Sequence, residues 1–364
     1  MHESDGSAAR MVQFSPEEHT PLTEIGDAYM REQLEKRRVE LNMAISTATP
    51  EVATAPFAGL LGEVDSAIER IEEGTFGVCV DCQGVVEKER LLADPLVKVC
   101  LDCLPAEERR ALERDLELAS TVQRGLLPEK AVRFADWHIH YEYKPAGLVS
   151  GDYADLIVPR RADGKMIFLL GDVSGKGLAA SLLMTHLHAM FRALSSPAPG
   201  AELELDKLME TANRVFCEST LAGQFATLVC GWAGNSGELE LASAGHLPAM
   251  LVRRDGVKQF SATGLPLGMF SSSRYAVQRM RLEPGDSLLL YTDGITEARN
   301  AAGHEYTPKK LARVAGERHR SSPADMLAAC MKDVDTHSGG ARLLDDQTLM
   351  VIHRNESGGL SLND

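Results

Sequence analysis

Apolar positions recur along this chain at two different periods, and the change between them divides it. Met30, Leu34, Leu41 and Ile45 stand 4, 7 and 4 residues apart, which predicts an amphipathic helix from Glu24 to about Ile45. Ser46-Thr47-Ala48-Thr49-Pro50 interrupts it. Phe57, Leu60, Leu61, Val64, Ile68 and Ile71 then repeat mostly at 3 and 4, a second helix. Two such helices around a Pro-flanked break predict an antiparallel hairpin, whose single apolar seam is marginal without an anchor. A third run, Pro105 to Leu127, keeps Leu112, Leu116, Ala119, Val122 and Leu126 near helical spacing until Pro128 stops it. It reads equally as a linker helix packed on the next domain and as a dimerising helix that carries a signal into it.

From about Ala131 to Arg354 the pattern shortens. Strands are predicted at Trp137–Tyr143, Met166–Leu170, Ala226–Trp232, Glu238–Ala242, Ala249–Arg253, Ser287–Tyr291 and Thr348–His353, with helical blocks at Gly177–Leu194, Glu202–Thr220 and Pro323–Asp335. Hairpins rather than regular βα alternation predict an α+β layered fold with antiparallel sheets.

Cysteine spacing supplies the missing anchor. Four of the seven cysteines form Cys79-x2-Cys82-x17-Cys100-x2-Cys103, two turns that can close a tetrahedral structural zinc site. A redox reading is poor, because two such pairs occur and no βαβ pattern surrounds them. Cys103 and Arg109 have the spacing of a cysteine-phosphatase loop, but Glu107 and Glu108 would repel the phosphate.

The 364 residues point to two or three domains, and 38 Lys plus Arg against 53 Asp plus Glu leave a net charge of −15. Without a Lys/Arg block, that balance argues against nucleic acid. No apolar run is long enough to span a bilayer, and the acidic start lacks a signal peptide's basic and apolar regions, so a cytoplasmic protein is expected.

The chemistry is carried by where the aspartates fall. Met166–Leu170 runs into Gly171-Asp172, Ser287–Tyr291 runs into Thr292-Asp293-Gly294, Asp345-Asp346 precedes Thr348–Ile352, and Asp152 follows Ser150-Gly151. Taken singly, Asp beside Gly is ordinary turn chemistry. Together the four sites can gather carboxylates at one sheet edge, where oxygen-only ligands favour Mg²⁺ or Mn²⁺ and two ions can activate a water against a phosphoryl group. Gly171–Gly177 is not a P-loop, since Leu170 and Gly177 occupy positions that motif reserves for Gly and Ser or Thr. No G-x-S-x-G nucleophile elbow occurs. His186 and His188 are expected in a core or interface, and Glu297 at the surface or as a cap.

Residues of about 24 to 104 resemble the DksA/TraR zinc-finger family, on Arg70-Ile71-Glu72-Glu73-Gly74-Thr75-Phe76-Gly77-Val78-Cys79 and the four cysteines. That resemblance implies a hairpin that enters an RNA polymerase channel. Here the tip, Ser46 to Pro56, holds only Glu51 in place of paired aspartates. Residues 112–354 resemble the PPM-type metal-dependent serine/threonine phosphatases of the SpoIIE/RsbU branch. The matching segments are Leu116–Pro128, Ser150–Asp155, Gly171–Gly177, Ala242–Pro248, Gly264–Gly268, Tyr291–Ala298 and Asp345–Leu349, in the family's order.

The resemblance implies a β-sandwich flanked by helices with two Mn²⁺ or Mg²⁺ ions at one end. Asp172 would bridge them, with the Val173 carbonyl beside it, Asp152 and Asp293 completing the shells, and Asp345 rather than Asp346 ligating. Asp155 is expected nearby without ligating. Ser174 stands where larger relatives place a histidine that can act as an acid, so the proton must come from elsewhere, a metal-bound water being one source; His246 is a candidate, but its Ala-Gly-His-Leu-Pro setting fits a shaping loop at least as well, and the acid is unassigned. The implied substrate is a phosphorylated anti-sigma-factor antagonist. The expected layout is a disordered tail (1–23), helical hairpin (24–73), four-cysteine finger (74–104), linker or dimerisation helix (105–128), phosphatase domain (129–354) and tail (355–364). A homodimer is expected, with the zinc module as regulatory input. The alternative is a DksA-like polymerase regulator whose phosphatase domain is accessory.

Overall fold

The computed structural model describes residues 24–47, 55–87, 90–91, 94–159, 164–175, 177–195, 204–220, 224–341 and 343–355. The expected tail at 1–23, most of the tail at 355–364 and hairpin-tip residues 48–54 lie outside that set. The chain divides into two compact units, the break falling between Leu112 and Glu113.

In the first unit, α1 (Glu24–Thr47) and α2 (Ala55–Glu72) form the hairpin. Arg31 meets Glu72 at 2.7 Å and Arg38 meets Asp65 at 3.9 Å, an order that antiparallel helices produce. Met30, Leu34 and Leu41 pack on Val64, Ala67 and Ile68, and the same core runs on through Phe76 and Val86 to Cys79 and Cys100. The cysteine turns thus close the base of a hairpin too thin to hold itself. Helix α3 (Ala106–Leu126) follows.

The second unit is built on eleven described strands: β1 (Ala131–Phe134), β2 (Trp137–Lys144), β3 (Asp152–Ile157), β4 (Met166–Val173), β5 (Ala226–Ala233), β6 (Glu238–Ala244), β7 (Ala249–Arg253), β8 (Gly256–Phe260), β9 (Gln278–Arg281), β10 (Ser287–Tyr291) and β11 (Gln347–Arg354). They form two antiparallel sheets, ordered β1-β2-β11-β10-β7-β8 and β3-β4-β5-β6-β9. Alternate side chains of both sheets, among them Trp137, Phe168, Leu170, Leu288, Leu290 and Met350, fill the space between them. The Trp137 indole N–H donates to the Gly234 carbonyl at 2.9 Å, so its full burial leaves no orphan donor.

Helices cover both outer faces. Helices α4 (Gly177–Leu194) and α5 (Leu205–Ser219) pack on the five-stranded sheet through Met184, Leu187, Phe191, Leu208 and Phe216. The one-turn α6 (Asp293–Thr296), α7 (Pro308–Glu317) and α8 (Pro323–Ser338) lie over the six-stranded sheet, with Leu311, Met326 and Val334 buried on Leu289 and Val351. Ser322 caps α8 by accepting from the Asp325 N–H. The layers are therefore helix, sheet, sheet, helix, the expected α+β architecture with antiparallel sheets.

Candidate active site

Four strand ends meet at one end of the sandwich. In the β3–β4 pair Asp152 stands directly opposite Asp172, so both carboxylates point to the inner face where β4 is about to stop. In the other sheet β10 and β11 are antiparallel neighbours with Tyr291 opposite Leu349, which puts the end of β10 beside the start of β11. Asp293, in the first turn of α6, and Asp345-Asp346 are thereby brought together. Gly294 makes that approach possible: a Cβ there would stand 2.0 Å from the Asp346 carbonyl oxygen.

Asp172, Val173, Asp293 and Asp345 line one cavity of about 440 Å³, together with His246 and Glu297. Burial, followed by repulsion from Asp293, Asp345 and Asp346, pushes the Asp172 carboxyl up to about 7. Asp152 lies behind it, 1% exposed and not among the lining residues. Its Oδ2 accepts from the Thr292 hydroxyl at 2.9 Å and the Thr348 hydroxyl at 2.5 Å, so this carboxylate ties one sheet to the other. Burial and Asp172 hold the Asp152 carboxyl well above the usual range, against those two hydrogen bonds.

The adjacent aspartates differ in what they touch. Asp346 accepts from the N–H of Ala146 at 2.7 Å and of Gly151 at 2.9 Å, which latches the segment before β3, while Asp345 lines the cavity. A Cβ on Gly151 would stand 3.1 Å from the Val173 carbonyl oxygen and 3.3 Å from Asp172 Oδ1, so a backbone oxygen and a carboxylate oxygen lie side by side. Hard oxygen donors from Asp172, Val173, Asp293 and Asp345 around one cavity fit Mn²⁺ or Mg²⁺, and a divalent ion would relieve the repulsion among them.

His246, the candidate acid, is not set up to give a proton. His246 is buried, with Nε2–H donating to the Tyr291 carbonyl at 3.1 Å and Nδ1 accepting from the Thr227 hydroxyl at 2.8 Å. Burial lowers it to about 4, so it is a neutral wall of the cavity. The Ser174 hydroxyl accepts from the Phe225 N–H at 3.0 Å.

The expectation for Asp155 changes. Asp155, three residues along β3 from Asp152, points to the opposite face, because side chains alternate along a strand. There Arg192 of α4 grips it at 2.8 and 2.5 Å, the Tyr153 hydroxyl donates at 3.2 Å, and His188 packs alongside. It clamps a helix to the sheet, away from the cavity. Glu297 is exposed and caps the C-terminal end of α6, as expected, and it also lines the cavity beside Asp293 and Asp345, where burial followed by Asp293 raises its carboxyl. Its place four residues after Asp293, about one helical turn, was the available signal. His186 contacts the Ser219 hydroxyl and the Phe216 ring, a packing role as expected.

In the first unit the sulfurs of Cys79, Cys82, Cys100 and Cys103 all lie within 4.8 Å of one another, with Cys82 and Cys100 at 3.6 Å. Four sulfurs on a tetrahedral zinc at about 2.3 Å stand about 3.8 Å apart, so the set fits zinc. The Cys100 N–H donates to the Cys79 sulfur at 3.3 Å and the Gly84 N–H to the Cys82 sulfur at 3.4 Å. Arg70 donates to the Val78 carbonyl at 2.6 Å and Arg90 to the Val99 carbonyl at 2.7 Å, which pins both turns.

Comparison with known proteins places this arrangement. The chain is similar to the protein IcfG of Synechocystis, 25% identical over 266 residues, which are 66% of this chain and 42% of that protein. It thus spans less than half the length of IcfG. It is similar to the phosphoserine phosphatase RsbU of Bacillus subtilis, 27% identical over 249 residues, 68% of this chain and 72% of RsbU. Among solved structures the fold matches the PP2C domain of SiaA from Pseudomonas aeruginosa, with a TM-score of 0.59, 18% identity, and coverage of 68% of this chain and 98% of that one. Residues 162–355, more than half the chain and carrying Asp172, Asp293 and Asp345, match the model of stage II sporulation protein E. The chain belongs to the SpoIIE family of PPM-type protein serine phosphatases.

Proposed function

We propose that this chain is a metal-dependent protein phosphatase that hydrolyses a phosphoserine or phosphothreonine on a regulatory protein. An anti-sigma-factor antagonist is the substrate class that its motifs imply. The observation that carries this reading is the convergence of Asp172, Asp293 and Asp345, from three separate strand ends, on one cavity. Asp172 would bridge two Mn²⁺ or Mg²⁺ ions, with the Val173 carbonyl, Asp293 and Asp345 as further ligands. Asp152, expected as a ligand, is engaged by two threonine hydroxyls and does not line the cavity, so in this proposal it backs Asp172 from between the sheets instead of completing a metal shell. The chemistry such ions supply is Lewis-acid activation of water for in-line attack on phosphorus. The chain's own part is positional: Asp346 latches the peptide beside Asp172, and neutral His246 shapes the wall without competing for protons.

We extend the proposal to the first unit, as a zinc-bound module whose state is a regulatory input to the phosphatase. What supports this is that α3 begins just after Cys103 and runs past the break at Leu112 into the second unit. A homodimer through α3 belongs to the same proposal.

Phosphate release from a phosphoserine protein or a small aryl phosphate, titrated with Mn²⁺, tests the enzyme reading. Wild type is expected to need Mn²⁺, and the Asp172→Asn/Asp293→Asn variant to lose turnover while staying folded. Turnover retained in the folded double variant would sink the assignment.

A further inference from the structure

Gln123 lies on α3 within the second unit and is 3% exposed, unusual for a glutamine. Its carboxamide meets one peptide group twice. Nε2–H donates to the Ser150 carbonyl at 2.7 Å, and Oε1 accepts from the Ser150 N–H at 3.0 Å. This is the exchange one strand residue offers another, made here by a side chain. It also fixes the amide, because the flipped form would set N–H against N–H and oxygen against oxygen.

Ser150 is the residue before Gly151, and Gly151 lies against the proposed ligands. The Gly151 N–H donates to Asp346, its carbonyl accepts from the Val173 N–H at 3.3 Å, and Asp172 Oδ1 and the Val173 carbonyl oxygen lie on the side where any larger residue would place its Cβ. The Ser150 hydroxyl accepts from the Asp152 N–H at 3.1 Å. Gln123 therefore grips the peptide adjoining Asp152, Asp172 and Val173 together, from a helix outside both sheets. The Gly151 peptide is thus tied to Val173 and Asp346 by its own two hydrogen bonds, so a shift of Ser150–Gly151 strains both.

Resting on the phosphatase reading above, we infer that Gln123 is a positioning residue for the metal cradle: its two hydrogen bonds to Ser150 hold the Gly151 peptide where Asp172 and the Val173 carbonyl can ligate together. Groups that orient metal ligands without touching the ion typically change affinity by roughly 10- to 100-fold when removed.

The test uses the full chain as wild type, Gln123→Leu, Gln123→Glu and Thr121→Ala. Leucine has similar bulk and neither hydrogen bond. Glutamate keeps an acceptor for the Ser150 N–H but opposes the Ser150 carbonyl. Thr121 is exposed on the same helix and serves as the control. Mn²⁺ binding is read from free Mn²⁺ by electron paramagnetic resonance, and separately from phosphate release against Mn²⁺. Gln123→Leu is expected to raise the half-saturating Mn²⁺ roughly 10- to 100-fold, with turnover largely recovered at saturation, and Thr121→Ala to match wild type. A merely structural role would reduce the folded fraction at every Mn²⁺ concentration without moving the midpoint. A wild-type midpoint in folded Gln123→Leu overturns the inference alone. If that variant does not fold, Gln123→Glu is held to the same criterion. A wild-type chain that neither binds Mn²⁺ nor releases phosphate overturns the phosphatase reading with it.

Discussion

His246 is buried with both ring nitrogens engaged, and its proton affinity is depressed to about 4 from the ordinary 6.5. In the unfolded chain it regains that affinity, so between pH 6.5 and 4 the unfolded state binds the extra proton. The neutral native form is unpenalised above about 6.5, and its stability falls as pH drops through that window, by up to about 3 kcal/mol at the lower end. His246→Gln, which cannot titrate, is expected to show a shallower acid loss of unfolding temperature than wild type, although less stable at pH 7.5. Equal slopes would contradict the assignment. The Asp345-Asp346 pair shows how far residue-level reading reaches. Composition could place a carboxylate before β11, but the two are told apart by the amides of Ala146 and Gly151, 195 or more residues away in sequence. Gln123 was visible only as one letter of a motif, because a buried glutamine announces itself through its partner.

At the scale of elements, the helices with long apolar stripes and the hydrophobic strands were legible because their periodicity is local. Ser287–Tyr291 and Ala249–Arg253 are central or nearly so, buried except at Arg253, and their apolar runs Leu288–Tyr291 and Ala249–Val252 fill all but one residue of each. β3 was not legible as a strand, since Asp152 and Asp155 disfavour one in isolation and only burial against β4 and the other sheet rewards it. β8 and β9 are edge strands whose Lys258, Gln259, Gln278 and Arg279 read as loop. Helix α7 was missed because Leu311, Val314 and Ala315 are its whole buried face. Helix α3 keeps an unsettled face: Leu118 and Val122, one turn apart, are 65% and 54% exposed. If that face pairs two copies, Leu118→Ser/Val122→Ser is expected to shift the sedimentation profile of the full chain toward monomer at micromolar concentration, with unfolding temperature held. A profile identical to wild type would remove this face from the dimer proposal.

For the whole molecule, the break at Leu112 falls inside α3, so a phosphatase fragment cut at residue 129 would discard Gln123 as well as the first unit. Loss of Mn²⁺ affinity in such a fragment would therefore not report regulation, and the zinc site is the cleaner handle. Stripping zinc with a thiol-selective chelator is expected to melt the hairpin, seen as lost helical ellipticity, while leaving the second unit's unfolding transition in place. If phosphate release is then unchanged with every phosphoprotein tried, the zinc module is a staple and not an input. No described helix is long and apolar enough to cross a membrane. Chain order adds a last consequence. β11 is the last described strand, yet it lies between β2 and β10 and carries Thr348, with Asp345 and Asp346 just ahead of it. A ribosome that has not yet released those residues holds a sheet with a gap at its centre and a cradle with one wall missing. If Asp345 ligates as proposed, catalytic competence is postponed until synthesis has passed β11, however long the earlier strands have waited.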